Sequence, residues 1–487
     1  MKRDVREPAA PAARIAPNSG WLGARRGWWV LIALGIGSMM GTMNSTIVNT
    51  ILPVIRDSFG ADLSSIEWVL MAYLLTVSVL LLSFGRLGDI WGHRRVYNAG
   101  LAVFVVSSGL CSLSPTEAFL IGSRVLQAVG GAMLVANSQA ILTRSFPPER
   151  RGQLLGLHYT IASLGLLIGP SLGGYLSFEF GWRSVFYANI LIGAVAIVMS
   201  LRLLPSPAPT QGRESFDLRG AAFMGIGLGA LLLAISKGQD WGWTSASTLA
   251  PLAMSVVFLV LFLRTEATAA HPMLDLSLFR GRGFSFAISS TFITYICIYS
   301  GLFLTPFYLM QGRGFSPSLS GQLYSIQPLG MVVTAPLGGY LSDRISPRLL
   351  SMLGAIGIAG GLFALHGLDS ESGPWSVLLP MALLGLGNGL FVGPNANIIM
   401  GASSAERQGI ASGILSTARN LGMVFGVAVT GAILALHMAQ RTASQAGAQE
   451  AFIGAFQDTL LVMTFVGLIG ASAAMVRQPA RAGAVAG

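Results

Sequence analysis

Formal charge is what this chain has least of. Asp, Glu, Lys and Arg make up 10% of its 487 residues, and only 20 residues are acidic. A soluble domain carries about 25% charged residues, so a water-exposed globule is excluded. Cysteine is almost missing: Cys111 and Cys297 both fall inside apolar runs, which excludes a disulfide framework and leaves a zinc site without ligands. No Gly-x-x-x-x-Gly-Lys-Ser/Thr run occurs, so ATP is not the expected energy source. No paired His/Cys ligands and no hydrolase nucleophile elbow stand out, and the linkers are too short to hold a catalytic domain. The sequence therefore predicts neither an enzyme nor a bound metal or cofactor.

What the chain has instead is apolar surface and glycine: 53% hydrophobic residues and 61 glycines. The apolar residues fall into about fourteen segments, each long enough to cross the roughly 30 Å hydrocarbon core of a bilayer. They run over 28–50, 66–87, 96–114, 117–142, 153–177, 183–203, 218–236, 247–264, 284–310, 318–341, 349–368, 375–400, 408–436 and 455–476. In lipid the backbone must satisfy its own polar groups, so these segments are predicted to be helices. The expected fold is an all-α polytopic membrane protein. Glycine at this level suits close helix crossings, because small residues let backbones approach.

The formal charge of +10 would suggest nucleic acid in a soluble chain, but its distribution is topological. Basic residues gather in the tail from Lys2 to Arg26, at Arg86, Arg94 and Arg95, and at Arg144, Arg150 and Arg151. Further groups follow at 202–219 and 264–282, and at Arg344, Arg348, Arg407, Arg477 and Arg481. The other side holds Arg56, Arg183, Lys237, Arg313 and Arg441, while Arg124 and Arg419 fall within spans. The positive-inside rule puts both termini in the cytoplasm. Trp28 to Thr50 is too long for a signal-peptide core and reads as an uncleaved first span.

An internal echo organises the spans. GRLGDIWGHRR at 85–95 and GGYLSDRISPR at 338–348 both fall on the cytoplasmic side, after the second and the tenth span. If they are equivalent, spans seven and eight are an insert between two six-helix halves. The expected division is a cytoplasmic tail at 1–27, a first six-helix bundle at 28–203, and a linker with two extra helices at 204–283. A second bundle follows at 284–476 and a short tail at 477–487. Parallel halves related by a pseudo-twofold axis are a transporter arrangement, with the site at their interface.

Several polar groups within the spans need partners. Arg124 lies well inside span four, where a guanidinium costs about 2.5–3.5 kcal/mol on insertion scales. Arg419 in span thirteen is a second such group, and Glu67 is a carboxylate near the start of span two. Asp89 sits in the first cytoplasmic loop beside Arg94 and Arg95. Gly165, Gly169 and Gly173 form a stripe on span five, followed by Gly174, and Pro170 within the run can kink that helix. Asn44, Asn49, Gln127, Asn189, Tyr295, Tyr299, Gln327 and Asn395 are candidates for lining a cavity, with Tyr295, Tyr299 and Gln327 favoured for aromatic and hydrogen-bonding contact with a substrate. Most polar groups of this kind serve as helix-to-helix bonds.

Taken in order, these motifs resemble the major facilitator superfamily, in particular its fourteen-span drug:proton antiporter branch, from residue 28 to 476. The resemblance implies secondary transport by alternating access, driven by a proton gradient. It implies that Asp89, Arg94 and Arg95 latch one state, and that Arg124, with Gln127 on the next turn, couples protons or substrate. It further implies that the Gly165 to Gly174 run marks an exporter and acts as hinge and seal. Two departures stand out: Ile90 and His93 replace the usual basic residues, and Asn44 replaces the usual aspartate of span one. An amide cannot exchange protons in the physiological range. Glu67 and Arg419 join Arg124, Asp89, Arg94 and Arg95 as candidates for proton coupling or gating. The expected cargo is a hydrophobic or amphipathic small molecule, exported across a bacterial-type cytoplasmic membrane by a monomer. The sequence names no periplasmic adaptor. A dedicated lipid or metabolite exporter, a proton-independent facilitator and a non-transporting sensor are the alternatives.

Overall fold

Long apolar runs in this chain fold as helices that satisfy their own backbones. The computed structural model describes residues 21–145, 151–204, 218–268, 276–342, 344–402, 408–443 and 447–475. Among these residues there is no strand. The helices are α1 (Trp21–Phe59), α2 (Leu63–Ile66), α3 (Trp68–Trp91), α4 (His93–Ser112), α5 (Glu117–Ser145), α6 (Arg151–Phe180), α7 (Ser184–Leu203), α8 (Leu218–Trp241) and α9 (Ala246–Thr268). They continue with α10 (Arg282–Phe307), α11 (Pro317–Tyr324), α12 (Ile326–Ser342), α13 (Pro347–His366), α14 (Leu378–Gly401), α15 (Gln408–Ala443) and α16 (Ala448–Ala474).

All the segments expected to span are helical. Within the described residues, 12 helices are long and apolar enough to cross a membrane. The two expected spans outside that number have visible reasons. α4 is diluted by Arg94, Arg95, Asn98, Ser107 and Ser108. The segment expected at 318–341 is interrupted at Ser325, so α11 and α12 are 8 and 17 residues long. The expected tails and the compositional break at 204–217 lie largely outside the described residues.

Helix contacts repeat along the chain. α1 lies against α6 and α7, α4 against α5 and α7, and α3 against α5. Further on, α10 lies against α15 and α16, α13 against α14 and α16, and α12 against α14. Between these sets α1 touches α10, α3 touches α15, and α6 touches α11 and α12. α8 and α9 pair with each other, and α8 leans on both α3 and α15.

Glycine makes the closest of these crossings. A Cβ on Gly165 would overlap Met39 O, and one on Gly169 would overlap Thr46 Oγ1, so the stripe on α6 is where α1 seats. α15 repeats the device: a Cβ on Gly422 would lie 2.6 Å from Phe292 O, and one on Gly426 2.7 Å from Ile296 O. Such distances forbid any side chain and let backbones approach in a solvent that offers no hydrophobic drive. At the turn from α3 to α4, Gly92 has φ 91°, a left-handed conformation that a Cβ would strain.

A candidate polar track between two arginines

Within the apolar core of the molecule lies a set of buried polar groups. Arg124 of α5 is fully buried. Its Nε donates to Val69 O at 3.1 Å, its Nη1 donates to Gln127 Oε1, and its guanidinium lies 4.2 Å from the centroid of the Tyr73 ring. A carbonyl, an amide and an aromatic face thus replace the water that a buried guanidinium loses. Gln127 lies one helical turn on and passes the network outward, donating from Nε2 to Ser108 Oγ at 2.8 Å. Asn44 of α1 donates to Gln127 Oε1 at 3.4 Å and accepts from Asn189 Nδ2 at 2.9 Å. Four helices are joined by amides whose donors and acceptors are complementary.

The track continues through α1. Asn44 lies beside the hydroxyl of Tyr73, and its neighbour Ser45 beside that of Tyr299 of α10. Tyr295, one turn from Tyr299, lies beside the Arg419 guanidinium of α15. Gly422 and Gly426 bring α15 against Tyr295 and Tyr299. Arg419 Nε is buried without a hydrogen-bond partner among the described residues. The two arginines singled out from the sequence are therefore the ends of one line: Arg124, Tyr73, Asn44 and Ser45, Tyr299, Tyr295, Arg419.

One end of the junction between the helix sets is closed. Asn49 Nδ2 donates to Tyr324 Oη at 2.6 Å and to Leu302 O at 3.2 Å. Arg56 donates to Gln311 Oε1 at 2.7 Å, and Gln311 Nε2 donates to Asp57 Oδ1 at 2.9 Å. Ser171 and Ser325 hydroxyls meet at 2.8 Å. A Cβ on Gly174 would overlap Pro317 O, and one on Gly321 would overlap Pro170 O, so α6 and α11 touch backbone to backbone. Gly169 to Gly173 spells Gly-x-Ser-x-Gly, but it lies inside the continuous helix α6, without the strand-to-helix turn that a nucleophile elbow needs.

The remaining candidates fall elsewhere. Asn395 of α14 donates to Thr291 Oγ1 at 2.6 Å and Ala287 O at 3.3 Å, a bond to α10. Gln327 is buried at the start of α12, apart from the line of bonded groups. Arg94 donates to Leu201 O at 2.6 Å. Beside it, His93 Nδ1 and Asn137 Oδ1 meet at 2.8 Å, and Asn137 Nδ2 donates to Phe84 O at 3.1 Å. The Asp89 side chain lies outside the described residues. Glu67 is fully buried where α2 meets α3, against Ser236 of α8. Tyr73, Ser45, Ser108, Tyr324 and Ser236 were not among the sequence candidates. Each is an ordinary residue of an apolar helix, and only its neighbour across a helix crossing distinguishes it.

A bundle of long apolar helices carrying a line of amides, phenols and two arginines through its middle has the make-up of a membrane transporter. The chain belongs to the Major Facilitator Superfamily, whose family model matches residues 34–427. It is 34% identical over 406 residues to multidrug resistance protein Stp of Mycobacterium tuberculosis, a match covering 83% of this chain and 75% of that one. It is 33% identical over 402 residues to riboflavin transporter RibZ of Clostridioides difficile, covering 82% of this chain and 87% of that protein. Among solved structures, a bacterial homolog to the human lysosomal transporter Spinster superposes with a TM-score of 0.67 at 14% identity, covering 92% of this chain and 96% of that one. That likeness is one of fold.

Proposed function

We propose that this protein is a secondary active exporter of hydrophobic or amphipathic compounds, drugs among them, working by alternating access and proton antiport. The observation that carries the reading is the polar track joining Arg124 to Arg419 across α1 and α10. Polar groups this deep are costly in lipid and belong to substrate or ion pathways. Here they lie where two sets of helices meet, the place at which rocking exposes a site to one side and then the other. The repeated helix contacts support two six-helix halves with α8 and α9 inserted between them. In this arrangement α4 and the broken α11–α12 also cross the membrane, which makes fourteen spans with both termini cytoplasmic. The closed end, at Arg56, Gln311 and the Gly174–Gly321 contact, is then the outer one, and cargo is loaded from the cytoplasm.

The charges of the track favour one qualification of cargo. Both formal charges on it are arginines, and Asn44 stands where an acid is usual, so neutral or anionic amphiphiles suit it better than lipophilic cations. A single-metabolite exporter is the second reading, in keeping with a relative named as a riboflavin transporter. Reconstitution into sealed vesicles with an imposed pH gradient tests both. Accumulation of several unrelated amphiphiles supports multidrug export, accumulation of one compound supports the second reading, and equilibration without accumulation refutes proton antiport.

A further inference from the structure

Glu67 is a carboxyl with no exposed surface, set at the joint of α2 and α3. Three elements surround it. From α8, the Ser236 hydroxyl touches Oε1. From α15, Gly431 faces Oε2 so closely that a Cβ there would overlap it. From its own segment, Ser64 offers a carbonyl that Ser236 Oγ reaches at 3.0 Å. Oε2 itself has no partner.

Proton counting decides what this cluster is. A serine hydroxyl has one proton to donate. If Ser236 gives it to Ser64 O, the contact with Glu67 Oε1 needs a proton from the carboxyl. A protonated Glu67 satisfies both contacts, and its remaining oxygen is neutral. An ionised Glu67 would bury a charged oxygen with no donor, which proteins avoid. The cation that acts on it, Lys237, is held by other partners. The charged groups acting on Glu67 are Lys237 and Asp240, both on α8. Lys237 donates to Ser64 Oγ at 2.9 Å and Ser65 Oγ at 2.8 Å, and lies 3.5 Å from Asp240 Oδ2. From α15, Gly431 faces the carboxyl, and no charged group of that helix acts on it.

We propose that Glu67, Ser236 and the backbone of Gly431 form a proton-loaded clasp between the two helix sets, with Glu67 carrying the proton that drives transport and the inserted helix α8 holding it in place. The proposal rests on the antiport reading above and adds to it a site and a role for α8. α3 and α15 belong to different sets, and α8 touches both. When the joint opens, the carboxyl O–H bond breaks and the proton passes to a water molecule, leaving a hydrated carboxylate. Such a carboxylate cannot return to the dry joint against Gly431. Protonation therefore closes the clasp, and closure at this end accompanies opening at the other.

The test uses the full-length protein in lipid nanodiscs and needs no substrate. Infrared spectra at neutral pH should show a protonated-carboxyl band that disappears in Glu67→Gln. Spin labels at Trp241 on α8 and Leu436 on α15 should move apart as pH rises in the wild type. Glu67→Gln, neutral at every pH, should lose that response and stay at the short distance. Ser236→Ala should shift the pH at which the labels separate, and Ser236→Thr should restore it. Absence of the band, a distance indifferent to pH in the wild type, or a wild-type response in Glu67→Gln each overturns the clasp. The antiport reading is judged separately by flux in vesicles, so a clasp without flux and flux without a clasp are told apart.

Discussion

Gly321→Ala is the sharpest probe of the junction between the helix sets. In the closed end a methyl group at residue 321 would overlap the Pro170 carbonyl oxygen, lie 3.0 Å from the Pro170 carbonyl carbon and 3.3 Å from Gly174 Cα. These are backbone atoms of α6, which cannot rotate aside as a side chain can. Overpacking of one methyl in a close-packed contact costs about 1–3 kcal/mol. In the alternating-access reading this cost falls on the closed conformation alone, because α6 and α11 part when that end opens. A bias of about 1–3 kcal/mol moves a two-state equilibrium about 5–150-fold. The assay is labelling of a single cysteine at Ser325 by a membrane-impermeant maleimide, since Cys111 and Cys297 are buried. The labelling rate from outside should rise by that factor in Gly321→Ala. Gly165→Ala is the control: it clashes with Met39 O inside one set, so it should lower thermal stability without changing the labelling rate. An unchanged rate in Gly321→Ala, with unchanged stability, would refute the reasoning.

Three further outcomes are expected. Arg124→Ala should abolish gradient-driven flux while the protein still folds. It takes one donor from Val69 O, which stays within helix α3, and from Gln127 Oε1, which Asn44 still reaches, and it removes an arginine whose insertion costs about 2.5–3.5 kcal/mol, so folding is retained. Flux in vesicles and a melting curve check both halves of the claim. Arg441→Gln breaks a pair with Asp458 at 2.7 Å, yet the two side chains are 41% and 38% exposed, so melting should change by no more than an exposed pair allows, about 0–1 kcal/mol. Asp369, in the loop after α13, is held below the usual carboxylate range by the Ser372 hydroxyl and then the Glu371 backbone N–H. A depressed pKa gives stability that is present above the ordinary carboxylate range and fades as pH falls through the folded value. Asp369→Asn should therefore flatten the acid limb of the unfolding curve, as read by melting temperature against pH.

Much of this architecture was legible in the residue order. Apolar runs of bilayer length could only become helices, because lipid offers no partner for an open backbone. Arg124 and Arg419 declared themselves by their cost in such runs, and the glycine stripe on α6 by its spacing. Tertiary structure decided what those residues meet. Gly165 and Gly169 serve α1, whereas Gly174 serves α11, a difference no spacing rule contains. The line from Arg124 to Arg419 runs through Tyr73 and Ser45, which composition leaves indistinguishable from lipid-facing neighbours. The sequence placed Glu67 near the start of a span, but that it is fully buried, with α8 and α15 closed over it, is a matter of packing. Helix formation is a local consequence of solvent and periodicity. Which polar groups share a proton depends on crossings between helices far apart in the chain, and those are settled by three-dimensional fit.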